Sequence, residues 1–175
     1  MTRIAYRIAA TLALAATGQM AQAQATKPCM TPAELRGMVA YMLPSAMGSV
    51  VERCRPALAA GAPLLTRGPQ LVSELEAGQS AAFPMARRAF AKFSDKGDQK
   101  TAALMLALPE ASLKPIIEMA LSQELTSSIK VANCPDIDRV FRTLQPLPAS
   151  NFVDFFTEVI TIGVRDNKDM TICPS

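Results

Sequence analysis

The sequence contains no histidine, and this absence excludes several common kinds of active site. Hydrolases that depend on a histidine base, helical HExxH zinc sites and histidine-ligated haem all require the missing residue. The four cysteines include no CxxC pair, the spacing that is typical of zinc sites and of thiol–disulfide exchange motifs. The glycines are isolated, so no glycine-rich phosphate loop is present either. We therefore predict no metal, no cofactor and no catalytic residue of these classes.

The chain begins with a segment that is typical of an exported protein. Two arginines precede an apolar run from Ile8 to Ala16, and small residues follow. This order is that of a secretory signal peptide. The apolar run is much shorter than the roughly 20 residues that cross a bilayer. We expect residues 1–25 to be a signal peptide and residues 26–175 to be a single helical domain that spans no membrane, located in the periplasm or secreted.

The mature chain has almost no net charge. The full sequence carries 18 basic and 15 acidic residues, and removing the two arginines of the signal peptide leaves a net charge of about +1. Nucleic-acid-binding proteins usually present a strongly basic surface, which this balance does not provide. We predict no nucleic-acid partner.

The four cysteines predict two disulfide bonds, since an even number in an exported chain favours oxidation. Four cysteines allow three pairings, which cysteine positions alone do not distinguish. Cys29 and Cys54 bracket a segment that we expect to form two short helices broken at Pro44. Cys134 and Cys173 bracket a second segment of similar plan. If each segment folds into a helical hairpin, its two cysteines come together. We therefore expect two helical hairpins, each closed by a disulfide, with Cys29 bound to Cys54 and Cys134 bound to Cys173.

Apolar residues recur at helical spacing along the mature chain. Leu35, Met38, Val39 and Met42 form one buried helix face after a capping sequence that starts at Thr31. Comparable patterns follow, separated by proline and glycine, and no alternating run is long enough to seed a sheet. The sequence predicts an all-α fold, a single compact bundle of seven to eight short helices.

The CMTPAE sequence at residues 29–34 and the two Leu-Pro breaks resemble those of small exported bacterial helical proteins with paired-cysteine hairpins. The function of these proteins is unassigned. The resemblance implies an all-helical exported domain, and it brings no catalytic residue and no function with it.

Carboxylate catalysis is the enzymatic alternative, because some glycan hydrolases depend on two acidic residues alone. Glu34, Glu52, Glu118 and Glu158 lie nearest the apolar faces, but their spacing selects no pair. Capping and surface roles explain these residues more simply. A hydrolase of cell-envelope glycan would require two acidic residues that face a common cleft.

Methionine is frequent, with ten residues in the full chain. Met38 and Met42 share a helix face with Leu35 and Val39, which is the pattern of a packed core. Methionine also lines pockets that adapt to apolar ligands, and its thioether can bind Cu(I). An adaptable apolar pocket and copper binding are therefore alternatives to core packing.

A basic stretch at residues 87–100 provides a candidate binding surface. Arg88 and Lys92 lie on one helix face, and Arg87 is adjacent. Such a helix can contact an anionic membrane or an acidic partner, although the solvated face of an ordinary packed helix has the same composition. We treat Arg87, Arg88 and Lys92 as candidate anionic-surface contacts.

These observations favour a soluble periplasmic protein that is not an enzyme and that acts by binding or by a structural interaction. The hypothesis that is easiest to test is an apolar or lipid-like ligand held between helices. The alternatives are the carboxylate-dependent hydrolase and anionic-surface binding through the basic helix. The partner expected is a small apolar ligand or a component of the cell envelope.

Overall fold

The fold consists of α-helices, with no strand in the residues that the structure describes. The structure, a computed structural model, describes residues 29–94, 103–104, 106–165 and 171–174. Six helices are present in these ranges: α1 (Pro32–Cys54), α2 (Pro63–Glu76), α3 (Gln79–Ser94), α4 (Glu110–Ser128), α5 (Cys134–Leu144) and α6 (Ala149–Gly163). The all-α prediction is confirmed, whereas the predicted count of seven to eight helices is not matched. The predicted signal peptide lies outside the described residues.

α1 begins after Thr31 because the local sequence satisfies its first backbone groups. Thr31 Oγ1 accepts a hydrogen bond from the Glu34 backbone N–H at 3.2 Å, and the Glu34 carboxylate accepts one from the Thr31 N–H at 2.8 Å. Pro32 occupies the first helical position, where its missing N–H leaves no bond unmade. The capping sequence therefore has the role that its residues predict.

α1 continues through Pro44, so the prediction of two helices broken at this residue is wrong. Proline inside a helix removes one backbone hydrogen bond and costs about 3 kcal/mol. Here this cost is offset because Pro44 is fully buried in a helix that contacts α2, α3, α4 and α6. Pro69, Pro84 and Pro115 likewise lie inside α2, α3 and α4. Tertiary burial overrides the local preference of proline at Pro44, whereas Pro69, Pro84 and Pro115 are exposed.

The disulfides join Cys29 to Cys173 and Cys54 to Cys134, so the predicted pairing within hairpins is wrong. A continuous helix of 23 residues is roughly 33 Å long. This length separates Cys29 from Cys54 far beyond the Cα–Cα distance that a disulfide tolerates. The observed Cα–Cα distances are 5.0 Å and 5.4 Å for the two bridges. Each bridge therefore ties one end of α1 to the C-terminal part of the chain, and no bridge closes a hairpin.

α1 is the central element of the core. It contacts four other helices, and the main hydrophobic cluster follows its length from Leu35 to Cys54. A smaller cluster joins α1, α3 and α4, and it consists of Tyr41, Phe83, Ala86 and Leu113. Two sides of α1 are thus buried by different sets of helices. Some residues of the main cluster, among them Met38 and Met47, also line a cavity described below.

The two ends of the described chain are paired through the main chain. The Met30 N–H donates a hydrogen bond to the Thr171 carbonyl at 2.8 Å, and the Cys173 N–H donates one to the Met30 carbonyl at 2.9 Å. This short pairing lies next to the Cys29–Cys173 bridge and holds the segment before α1 beside the segment after α6. None of the helices in the described ranges has the length and apolarity needed to cross a membrane.

Candidate functional site

A cavity lined only by apolar residues lies between α1, α3, α4 and α6. Its volume is about 540 Å³, which is within the usual range of small-ligand sites in proteins. The lining residues are Met38, Val39, Met42, Leu43, Ala46, Met47, Val50, Phe90, Leu121, Leu125, Phe156 and Ile160. We call this cavity the apolar groove.

The helical repeat explains why each wall of the apolar groove is apolar. α1 supplies side chains at positions 38, 42, 46 and 50, which are four residues apart and therefore lie along one helix face. α4 supplies Leu121 and Leu125, and α6 supplies Phe156 and Ile160, again four residues apart. All four of these side chains are half-buried. Phe90 of α3 completes the lining. The groove is therefore the place where apolar faces of four helices meet without fully covering one another.

Met38 and Met42, which the sequence analysis singled out, both line the apolar groove, and Met47 joins them. Met38 and Met47 are buried core residues, whereas Met42 is half-buried. Core packing and the lining of a cavity therefore coexist along one helix, and the adaptable-pocket role stays a prediction. Flexible thioether side chains allow such a wall to adjust to the shape of an apolar molecule.

A second cavity of about 580 Å³ adjoins the apolar groove. Met47, Val50 and Phe156 line both cavities, and the second one is completed by residues of α2, α5 and α6. Its lining differs in chemistry, because Asn133 and Asp136 contribute polar groups. The two cavities therefore lie side by side, the groove wholly apolar and the second cavity partly polar.

A third cavity of about 520 Å³ lies on a different face of α1 and is lined mainly by glycine and alanine. Arg36 and Glu74 are the charged residues in its wall. Arg36 Nε lies 2.7 Å from Asp154 Oδ1, and Glu74 Oε1 lies 3.0 Å from Arg67 Nη1. Both charges are thus already paired, which makes this cavity a weaker candidate for an ionic ligand.

The four candidate acidic residues do not come together as a catalytic pair. Glu34 caps α1, and Glu52 and Glu118 pair with basic residues of their own segments. Glu158 is exposed. A hydrogen bond from Arg55 lowers the pKa of Glu52, which is opposite to the raised pKa of a general acid. None of the three cavities is lined by two acidic residues, so the geometry gives no support to the hydrolase hypothesis.

The three candidate basic residues have different surroundings. Lys92 Nζ lies 2.6 Å from Glu34 Oε2. Arg87 is half-buried, with its guanidinium 5.6 Å from the centroid of an aromatic ring, and Arg88 is exposed. Residues 95–100 of the predicted basic stretch lie outside the described residues. Two of the three candidates are therefore engaged within the fold, and anionic-surface binding stays a prediction.

Glu34 and Lys92 form an ion pair beside the Cys29–Cys173 bridge. Glu34 is only 6% exposed, and Lys92 also donates a hydrogen bond to the Cys29 carbonyl at 3.0 Å. Burial alone would raise the pKa of Glu34, but hydrogen bonds from Lys92 and Thr31 outweigh this effect, and the pKa lies below its ordinary value. The ion pair therefore connects the start of α1, α3 and the backbone of Cys29.

Tyr41 carries a buried hydroxyl for which the described residues provide no hydrogen-bond partner. Its ring centroid lies 5.4 Å from that of Phe83 and 6.3 Å from that of Phe90. Burial, together with the negative charges of Glu110 and Glu118, raises the pKa of Tyr41 to about 12. Tyr41 is therefore neutral at physiological pH and acts in packing. Its neighbour Phe90 also lines the apolar groove.

The chain matches no protein-family model, no curated protein and no solved structure. Its resemblance to small exported helical proteins stays a prediction. Within the described ranges, no group of three or more aspartate, glutamate or cysteine side chains is placed to hold a metal ion. The apolar groove and the second cavity are therefore the features from which a function can be argued.

Proposed function

We propose that this chain is an exported, non-enzymatic binding protein that holds an apolar or lipid-like ligand in the apolar groove. The observation that carries the proposal is the composition of the groove, in which every lining residue is apolar. Several of these side chains, including Phe156 and Ile160, are half-buried. A ligand that covers them removes apolar surface from water, which is favourable by about 25 cal/mol per Å².

The size of the groove supports a ligand with a hydrocarbon chain. Burial of each CH₂ group contributes about 0.8 kcal/mol, so roughly ten groups would contribute about 8 kcal/mol. Part of this free energy offsets the loss of ligand motion on binding. A dissociation constant in the micromolar range or weaker is therefore expected for a simple alkyl ligand.

The compartment is inferred from the cysteines and from the start of the sequence. All four cysteines are in disulfide bonds, and such bonds persist mainly in oxidising compartments. Together with the predicted signal peptide, they support a location in the periplasm or outside the cell. Apolar molecules in these compartments need a carrier or a shielded site, which is the role proposed here.

A neutral fluorescent probe of apolar sites, phenylnaphthylamine, tests the proposal. Titration of the mature protein should give a saturable increase in probe emission. Ala46 lines the groove and is half-buried, so Ala46→Phe should fill the cavity and weaken probe binding by about tenfold or more. Ala40 lies on the same helix but lines the third cavity, so Ala40→Phe is a matched control that should bind the probe as the wild type does.

Both variants are first compared with the wild type by thermal unfolding, so that probe binding is measured on folded protein. Probe emission that does not saturate with the wild type would contradict the proposal. An equal loss of binding in Ala46→Phe and Ala40→Phe would contradict the assignment to the groove. Native mass spectrometry of protein taken from its own compartment provides a second measurement, in which a bound apolar molecule adds mass.

A further inference from the structure

We infer that the ligand is a single-chain amphiphile whose headgroup donates hydrogen bonds, with its chain in the apolar groove and its head beside Asn133 and Asp136. This inference rests on the proposed function and adds the chemical class of the ligand and its orientation. It follows from three properties of the two adjoining cavities: their shared walls, their difference in polarity and the hydrogen-bonding groups at the polar end.

The shared walls favour a long, narrow ligand. Met47, Val50 and Phe156 line both the apolar groove and the second cavity. A molecule that occupies both spaces must pass these three side chains. A flexible linear chain can do so, because it changes direction by rotation about single bonds. The cavity volumes of about 540 and 580 Å³ then describe successive parts of one site.

The difference in polarity between the two cavities sets the orientation of the ligand. The apolar groove offers no polar side chain to a headgroup, and a polar group buried there without a hydrogen bond would lose its hydration at a large cost in free energy. The second cavity is lined by Asn133 and Asp136, both of which are exposed to solvent. The head of an amphiphile is therefore best placed at this end, where it keeps contact with water and with two polar side chains.

The groups at the polar end select the chemistry of the head. An ionised carboxylate such as Asp136 only accepts hydrogen bonds, whereas the amide of Asn133 both donates and accepts them. Asp136 Oδ1 lies 2.8 Å from Arg139 Nη2, and its carboxylate has further acceptor positions. A hydroxyl, amide or ammonium head complements these groups. A carboxylate head has no hydrogen atom to donate to Asp136, so it leaves these acceptor positions unused.

Three competitors with the same saturated chain test the inference: lauryl alcohol, laurylamine and laurate. Each is titrated against the probe-bound mature protein, below the micelle-forming concentration for laurylamine and laurate and below the solubility limit for lauryl alcohol. We expect the alcohol and the amine to displace the probe at concentrations about tenfold lower than laurate. Asp136→Asn should reduce this difference to about twofold or less. Asp154→Asn changes an exposed carboxylate that lies outside the two cavities and should keep the wild-type order.

The outcomes separate this inference from the proposed function. If laurate displaces the probe as well as the other two competitors do, or better, the headgroup inference is overturned while the proposed function stands. A preference that persists unchanged in Asp136→Asn would overturn the placement of the head. If the probe does not bind at all, the proposed function fails. Ala46→Phe should weaken all three competitors together, and a loss for only one of them would contradict the common position of the chain.

Discussion

At the scale of single residues, Glu34 combines a local and a long-range role. Its carboxylate accepts a hydrogen bond from the Thr31 N–H, as the capping sequence predicts. The same carboxylate pairs with Lys92, which is 58 positions away. The first contact follows from residues that are adjacent in sequence and could be predicted. The second depends on how α3 packs on α1, so no local pattern indicates it.

Removing the charge of Glu34 should destabilise the fold in a pH-dependent way. Glu34→Gln keeps a side chain that can cap the helix but loses the ion pair with Lys92, so the free energy of unfolding at neutral pH should fall by about 1–2 kcal/mol. The pKa of Glu34 is lowered in the folded state. Its stabilisation is therefore present above the unfolded pKa of about 4.3 and is lost as the pH falls through the folded pKa. Urea unfolding curves of the two proteins should converge at acidic pH.

The exposed Glu158 provides the matched control for this measurement. Glu158→Gln should leave the free energy of unfolding within about 0.5 kcal/mol of the wild type at every pH, as is usual for exposed side chains. A deficit in Glu34→Gln that is the same at neutral and acidic pH would show that the ion pair is not its cause.

At the scale of elements, α1 contains two glycines with opposite surroundings. A Cβ at Gly37 would collide with the Met85 side chain on α3, whereas a Cβ at Gly48 would meet no atom within 4 Å. Gly37→Ala should lower the free energy of unfolding by about 1–3 kcal/mol, because α1 and α3 must move apart. Gly48→Ala should raise it by about 0.5–1 kcal/mol, because alanine favours the helix. Chemical unfolding measures the free energy of unfolding of both variants. A Gly37→Ala variant that is stabilised as Gly48→Ala is would contradict the close approach of α1 and α3 at Gly37.

The elements also show what the sequence could predict about the fold. The period of the apolar residues predicts helices correctly, because a buried helix face needs that spacing in any all-α protein. The number of helices could not be predicted in the same way. Pro44 and Pro69 are local signals for a helix boundary, yet both lie inside helices. The burial that offsets the cost of Pro44 comes from other parts of the chain, so no local signal indicates it.

The residues of the candidate site could be predicted from the sequence only in part. The sequence places Met38 and Met42 on one apolar helix face, and both line the apolar groove. Leu121, Leu125 and Phe156 complete the groove from α4 and α6, and each belongs to an ordinary apolar helix face. Nothing in their spacing specifies which helix they face or how completely they are covered. The groove is a property of the packing of four helices and not of any one of them.

At the scale of the whole molecule, the two disulfides close loops that span most of the mature chain. The bonded cysteines are separated by 144 and 80 residues in the sequence. On the chain-entropy estimate, loops of these lengths each stabilise the fold by about 4.5–5 kcal/mol. The two bridges therefore contribute similarly to stability, and they differ in the solvent exposure of their cysteines.

The Cys29–Cys173 bridge should be reduced before the Cys54–Cys134 bridge. Cys54 and Cys134 are 0% exposed, whereas Cys29 and Cys173 are half-buried, so a small thiol reaches the latter pair first. Brief reduction, alkylation and peptide mass mapping should find the label on Cys29 and Cys173. Mapping of the unreduced protein should find the same two pairs. Earlier labelling of Cys54 and Cys134 would contradict this order.

The position of Tyr41 near the apolar groove allows its fluorescence to report whether the groove is occupied. The sequence has no tryptophan and two tyrosines, and the second tyrosine, Tyr6, belongs to the predicted signal peptide. The intrinsic fluorescence of the mature protein should therefore come from Tyr41 alone. Phe90 lies between this ring and the apolar groove, because it contacts Tyr41 and also lines the groove. A molecule that enters the groove and shifts Phe90 should change the emission of Tyr41, which gives a label-free signal of occupancy.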